Sequence, residues 1–233
     1  MNLNHYNIIG RGKLGQIVFD LMSCEDTPVI STSKGPRECH QNFIYELGDT
    51  LPLPITKDSA ATLITLPPSA SDDLKLWQKL AKQLASYPNV YYTSSIGALK
   101  AEKKHLIEIE NIFIENNIRV LRLGGIIFKG KHPINFLQNR ELKNSLDPVN
   151  LIHANDIAKI IVSIMKRPSM ITKEIHYIVA PEHPTKKDYY RDIAHKLSLN
   201  EPLFDTSTSK AQRIDCDIDG CTDFNFKSLY QLD

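Results

Sequence analysis

The stretch Asn7-Ile8-Ile9-Gly10-Arg11-Gly12-Lys13-Leu14-Gly15-Gln16-Ile17-Val18-Phe19-Asp20-Leu21-Met22 decides the fold. Residues 6–9 form an apolar run of strand type, three glycines follow in the spacing GxGxxG, and residues 14–22 carry apolar side chains at helical spacing. GxGxxG alone is a weak pattern; a strand before it and a helix after it give it meaning. Gly10 permits the tight turn, Gly12 lets the backbone approach a diphosphate with no Cβ in the way, and Gly15 lets the helix pack closely on the strand. The start of the helix then offers free N–H groups to phosphates. A tight strand–helix turn without a ligand is the alternative reading of the same residues.

Outward from this turn, short apolar runs alternate with amphipathic segments. Strands are predicted over 28–31, 43–46, 61–66, 89–93, 118–123, 149–153 and 174–179. Helices are predicted over 74–84 behind Asp72-Asp73, over 101–116, from a cap at Asn155-Asp156 to Met165, and over 185–197 with Thr185 as cap. This alternation predicts an α/β fold, a doubly wound parallel sheet of Rossmann type with helices on both faces. Residues 1–233 read as a single NAD(P)-binding domain, with 124–148 and 180–233 forming a small substrate-side extension.

The 233 residues are 42% hydrophobic and 24% charged, ordinary for a globular chain, and the formal net charge of +1 gives no electrostatic reason for a nucleic-acid partner. The N-terminus lacks the basic start and long apolar stretch of a signal peptide. No window approaches the run of about 20 apolar residues that spans a bilayer. A cytoplasmic protein is expected, with no membrane partner. Cys24, Cys39, Cys216 and Cys221 form no CxxC pair and no zinc-like spacing with histidine, so reduced structural thiols are expected. Residues 215–220 imitate the opening of a calcium loop, DxDxDG, but Phe226 stands where its bidentate Glu belongs, and no metal site is expected.

NAD-preferring sites place Asp or Glu near the end of the second strand, where it accepts from the ribose 2′-OH. Here Ser31-Thr32-Ser33-Lys34 occupy that region, with Arg37 nearby and Arg11 inside the glycine turn. Hydroxyls and cations suit a 2′-phosphate that a carboxylate would repel, so NADP is expected to bind better than NAD. An ordinary solvated basic loop is the alternative. The basic turn Lys129-Gly130-Lys131-His132-Pro133 follows a strand whose C-terminal end borders the cleft, and reads either as a holder of an acidic substrate group or as an exposed loop. His153 reads as a satisfied core histidine, and His183 as part of a capping turn.

Several segments together resemble the NAD-dependent epimerase/dehydratase branch of the short-chain dehydrogenase/reductase superfamily, in its atypical extended, nucleoside-diphosphate-sugar epimerase-like form. They are Ile8-Ile9-Gly10-Arg11-Gly12-Lys13-Leu14-Gly15, Leu63-Ile64-Thr65-Leu66-Pro67, Tyr92-Thr93-Ser94-Ser95 and Val120-Leu121-Arg122-Leu123-Gly124-Gly125-Ile126. Gly130-Lys131-His132-Pro133, Asn150-Leu151-Ile152-His153-Ala154-Asn155-Asp156-Ile157 and Ile178-Val179-Ala180-Pro181-Glu182-His183-Pro184 follow in order. The resemblance implies a Rossmann core, a small C-terminal substrate-binding portion, a nicotinamide dinucleotide and a small-molecule substrate. It implies cofactor contacts from Gly10, Arg11, Gly12, Lys13, Leu14, Gly15, Leu66 and Pro67.

In that family a Ser or Thr orients the reacting hydroxyl or carbonyl, and a Tyr-x-x-x-Lys helix exchanges the proton, the Lys favouring phenolate. The resemblance places Ser95 at the hydroxyl position and Lys104 at the Lys position, with Glu108 at the position of a frequent downstream Glu. Lys100 falls where the Tyr belongs and cannot replace a phenol like for like. Tyr91 and Tyr92, on the preceding strand, read as packing residues. The expectation is an NADP-linked oxidoreductase or epimerase acting on a small or nucleotide-sugar-like substrate. The alternative is a catalytically inert dinucleotide-binding redox sensor or scaffold. A homodimer is left open.

Overall fold

Strand β1 (His5–Ile9) and helix α1 (Lys13–Cys24) form the opening unit, followed by β2 (Val29–Ser33), β3 (Asn42–Ile44), β4 (Ser59–Ile64), α2 (Leu74–Leu84), β5 (Val90–Ser95), α3 (Lys104–Glu115) and β6 (Arg119–Leu123). Then come β7 (Gly125–Ile127), β8 (Glu141–Leu142), β9 (Leu151–His153), α4 (Ala154–Lys166), β10 (Ile175–Ile178), α5 (Lys186–Lys196) and β11 (Leu203–Phe204). The computed structural model describes residues 5–37, 41–49, 53–100, 102–209 and 211–232. Cys39 lies outside the described residues, and Cys24, Cys216 and Cys221 are free thiols.

Seven strands pair in the order β10-β6-β5-β4-β1-β2-β3, every pair parallel. The chain starts in the middle of the sheet, winds out through β2 and β3, then returns to the other side of β1 and winds out again. The crevice above β1 and β4, where the winding reverses, is where such sheets bind ligands. Both faces are covered, as near-continuous apolar strands require. Leu14 and Val18 of α1 share one core with Ile157 and Ile161 of α4. Trp77 and Leu80 of α2 share the other with Ile109 and Phe113 of α3. The doubly wound Rossmann sheet expected from the alternation is the architecture found. No helix among the described residues is long and apolar enough to cross a membrane.

Several predicted boundaries move. The third strand occupies Asn42–Ile44 rather than 43–46, because Glu46 turns into a loop in which its N–H donates to Asp49 Oδ2 at 2.6 Å. The helix predicted from residue 101 begins at Lys104, and Ala101 lies outside the described residues. A 3-10 turn over Ile96–Leu99, started by Ser95 Oγ accepting from Gly97 N, takes up the chain in between. Helix α4 begins at Ala154 with His153 as its N-cap, so Asn155-Asp156 is not the cap. Asp156 instead accepts from Lys227 N at 2.9 Å. The caps at Asp73 and Thr185 stand as expected, accepting from Lys75 N and Asp188 N.

The chain after α5 is held by carboxylates. Segment 215–219 runs along the outer side of β10, where Asp217 N donates to the Tyr177 carbonyl at 3.2 Å and Tyr177 N donates to Asp217 Oδ1 at 2.7 Å. Asp147, 1% exposed, accepts from Ser209 Oγ at 2.6 Å, Thr208 Oγ1 at 2.7 Å and Ser209 N at 2.9 Å, with Lys186 Nζ at 3.4 Å. Burial pushes its pKa up, but these donors and the ammonium prevail and bring it down to about 2. A carboxyl depressed in the folded state contributes stability above its unfolded pKa, and that contribution is lost as pH falls toward 2. Asp147→Asn is therefore expected to destabilise the chain at pH 7, with the gap to the parent closing between pH 4 and 2. Urea melts across that range check it, and a gap independent of pH would remove the ionised clamp.

Candidate functional site

The glycine turn sits at the crevice between β1 and β4. Gly10 has φ +93°, and a Cβ there would lie 2.8 Å from Leu66 Cδ2. Its N–H donates to Thr32 Oγ1 at 3.1 Å, and its carbonyl accepts a short hydrogen bond from the Thr65 hydroxyl. Arg11 N donates to the Thr32 carbonyl at 2.6 Å. The turn is thus clamped from the ends of β2 on one side and β4 on the other. Gly15 packs so closely that a Cβ would lie 2.7 Å from the Gly10 carbonyl and 2.8 Å from Thr65 Oγ1.

At Gly12 the geometry is the opposite. A Cβ would have only the Gly10 carbonyl nearby, at 4.0 Å, and Gly12 is the N-cap of α1 with no side-chain cap bond. No acidic residue lies in the first turn of α1. The uncapped N–H groups and the positive end of the helix dipole therefore face open space, the arrangement an anion fills.

Cations surround that space. Arg11 is 7% exposed, with its guanidinium 3.5 Å from the Phe19 ring centroid and Nε donating to Gln16 Oε1 at 3.0 Å. Its Nη1 is buried and has no hydrogen-bond partner among the described residues. Arg37 Nη2 donates to the Arg11 carbonyl at 3.1 Å. A cleft of about 410 Å³ is lined by Gly10, Arg11, Gly12, Ser33, Lys34 and Arg37, and also by Leu66, Pro67 and Tyr45. Lys34 pairs with Glu46 at 3.5 Å on the exposed rim. Lys13 lies in an adjoining channel with Gln16 and Phe128. Leu14 turns its side chain into the core, which leaves only its backbone for a ligand. Ser31 is fully buried, donates to Asn42 Oδ1 at 3.0 Å, and does not reach the cleft.

The sequence did not show that Thr32 and Thr65 clamp the glycine turn, or that Tyr45 lines the cleft. The two threonines are polar residues at strand ends beside the turn, a signal that was readable. Tyr45 comes from the chain beyond β3, and burial with the nearby Asp49 pushes its phenol up to about 12.

The residues expected to do chemistry are not gathered in the same way. Ser95 is exposed, and its Oγ is taken up by Gly97 N at 3.0 Å; it lines neither the cleft nor the channel. Lys100 is the C-cap of the 3-10 turn and Lys104 the first residue of α3, so the two do not share one helical face as Tyr-x-x-x-Lys requires. Both are exposed, as is Glu108. The buried acid of α3 is Glu110, which accepts from Ser94 Oγ at 2.5 Å and from Arg122 Nη2 at 2.6 Å. Arg122 Nη1 also donates to Tyr177 Oη at 3.1 Å. Tyr91 and Tyr92 are fully buried, and desolvation raises both phenols, Tyr91 to about 12.

No protein-family model matches the chain. A curated relative, Protein YeeZ of Escherichia coli strain K12, is 30% identical over 118 residues, which are 49% of this chain and 41% of that protein. The UDP-N-acetylglucosamine 4-epimerase from Bacillus cereus superposes with TM-score 0.68 at 16% identity, covering 97% of this chain and 94% of that one. The Bordetella bronchiseptica enzyme WbmH in complex with NAD+ gives 0.68 at 11% identity, over 97% and 95%. The human epimerase family protein SDR39U1 with NADPH gives 0.60 at 13%, over 86% and 82%. The chain shares the fold of the extended short-chain dehydrogenase/reductases and NAD-dependent epimerase/dehydratases, the fold its motifs resemble.

Proposed function

We propose that the chain binds a nicotinamide dinucleotide across the β1–β4 crevice, with NADP favoured over NAD, and serves as an oxidoreductase or epimerase on a small molecule. The observation that carries this reading is the buried Nη1 of Arg11, unpartnered among the described residues, on a residue that lines the cleft beside the uncapped first turn of α1. A buried guanidinium nitrogen with no acceptor is costly, and an anion bound against it offsets that cost. The diphosphate would rest on the first turn of α1, with Leu66 and Pro67 on the opposite wall. Arg11, Arg37, Ser33 and Lys34 would hold the 2′-phosphate. The dinucleotide supplies hydride transfer when bound. Residues 124–148 and 180–233 would then form the substrate side.

Dinucleotide binding without catalysis is the second reading. It is favoured by the scatter of Ser95, Lys100 and Lys104 and by the burial of Tyr91 and Tyr92. Titration of NADPH and NADH fluorescence tests the shared premise. NADPH is expected to bind at least about tenfold tighter, with Arg11→Ala losing most of that preference, as one charge-assisted contact supports. Tighter NADH binding would end the NADP assignment. NADPH oxidation against a panel of carbonyl compounds, with Ser95→Ala and Lys104→Ala as controls, then separates catalyst from sensor.

A further inference from the structure

A second recess, of about 190 Å³, lies between the end of β7, the basic turn 128–131 and the chain that follows α5. Leu197 and Leu199 contribute to its apolar wall, and Lys129, Lys131, His153 and Gln231 to its polar one. Phe128 and Lys129 also line the channel in front of Gly12 and Lys13, so the recess adjoins the glycine turn.

Its charge is unbalanced. Lys129 and Lys131 are exposed and enter none of the ion pairs among the described residues. Lys131 Nζ lies 5.4 Å from the Phe136 ring centroid, and its charge pushes the Lys13 pKa below the ordinary lysine value. The turn that carries Lys131 is shaped by Gly130 at φ +66° and by the bridge between Phe128 and Lys131. Ammonium groups held together with no carboxylate between them favour an anion.

The recess also holds a free acceptor. His153 is 5% exposed, and its Nε2 donates to the Ser228 carbonyl at 3.0 Å, which leaves Nδ1 as the acceptor nitrogen. That nitrogen makes no cap bond to α4 and no other hydrogen bond among the described residues. His132 differs, because Nδ1 accepts from Ile134 N at 3.1 Å and Nε2 donates to Tyr189 Oη at 2.7 Å. Burial, with His153 adding to it, lowers the His132 pKa to about 4, so this ring stays neutral and structural.

We propose that this recess binds a small hydroxy acid, its carboxylate against Lys129 and Lys131, its hydroxyl donating to His153 Nδ1, and its short apolar tail between Leu197 and Leu199. The volume falls below the roughly 300–1,000 Å³ of pockets for drug-sized ligands, which suits a short acid better than a nucleotide sugar. As the substrate of the dinucleotide chemistry this ligand rests on the function proposed above; as a bound molecule it does not.

The test uses the full chain without dinucleotide and 2-hydroxy-4-methylpentanoate as probe, followed by calorimetry and saturation-transfer NMR. Its amide, 4-methylpentanoate and UDP-glucose serve as comparisons. The acid should bind at least about tenfold tighter than its amide, and Lys131→Gln should lose a similar factor, the size expected for one charge-assisted contact. Loss of the hydroxyl in 4-methylpentanoate should cost several-fold. Leu197→Trp, a surface change that plugs the recess, should abolish binding while its thermal melt matches the parent. Amide and acid binding alike, undiminished binding to Leu197→Trp, or UDP-glucose outcompeting the acid each overturns the assignment. Acid binding by a chain that fails to quench NADPH fluorescence keeps the recess and discards the dinucleotide reading, so the two failures are distinct.

Discussion

Glu110→Ala is expected to lower the unfolding free energy by about 3–5 kcal/mol, the cost of breaking a buried ion pair from one side. Glu110 is 1% exposed, and its carboxylate is bidentate to Arg122, with Nε at 3.1 and 3.2 Å and Nη2 at 2.6 Å. Glu110 raises the Arg122 pKa, and an arginine does not give up its proton in a protein, so the guanidinium remains a cation when the partner is removed. The register places Ser94 opposite Arg122 and Arg122 opposite Tyr177, so one charge network ties β5, β6 and β10 to α3. The double variant Glu110→Leu/Arg122→Leu should recover most of the loss, since two apolar side chains leave no isolated charge. Urea melts followed by Trp77 fluorescence measure both. A double variant as unstable as the single one would mean that lost packing, not the orphaned cation, is the cause.

Gly15→Val should all but eliminate dinucleotide binding, by about a hundredfold or more, and destabilise the fold by about 1–3 kcal/mol through overpacking. The atoms in the way are the Gly10 carbonyl and Thr65 Oγ1, and backbone cannot rotate aside as a side chain can. Helix α1 must therefore back away from the turn and carry its N–H groups with it. Gly12→Ala isolates the ligand from the fold, because the nearest atom to its Cβ is 4.0 Å away. Its melt should match the parent while NADPH affinity falls at least about tenfold, the methyl group standing where the diphosphate would lie. Unaltered NADPH binding by Gly12→Ala would show that no phosphate rests there.

The sequence made the glycine turn, the alternation of strands and helices and the two capping residues Asp73 and Thr185 readable, because each depends on local chemistry within a few residues. What it concealed depends on distant partners. Ser31 looked like a cofactor contact from its place near the end of a strand, yet the side chain faces Asn42 of the adjacent strand. Lys100 and Lys104 are four residues apart, which suggests one helical face; the 3-10 turn after Ser95 breaks that geometry before the helix begins. Glu108 matches the spacing of the resembled pattern, but burial falls on Glu110, where Ser94 and Arg122 converge from two strands. Arg11 was legible as a cation near the phosphates; its stacking on Phe19 one helical stretch later was not.

An unpaired strand at the rim of a sheet is a template on which another molecule can align its own backbone. Along β10 that template is already spent: the carbonyl and amide of Tyr177 that would recruit a stranger are both engaged by Asp217. The opposite rim, β3, offers only the three residues Asn42–Ile44. Edge-to-edge pairing thus has little to grip at either rim of the seven-stranded sheet.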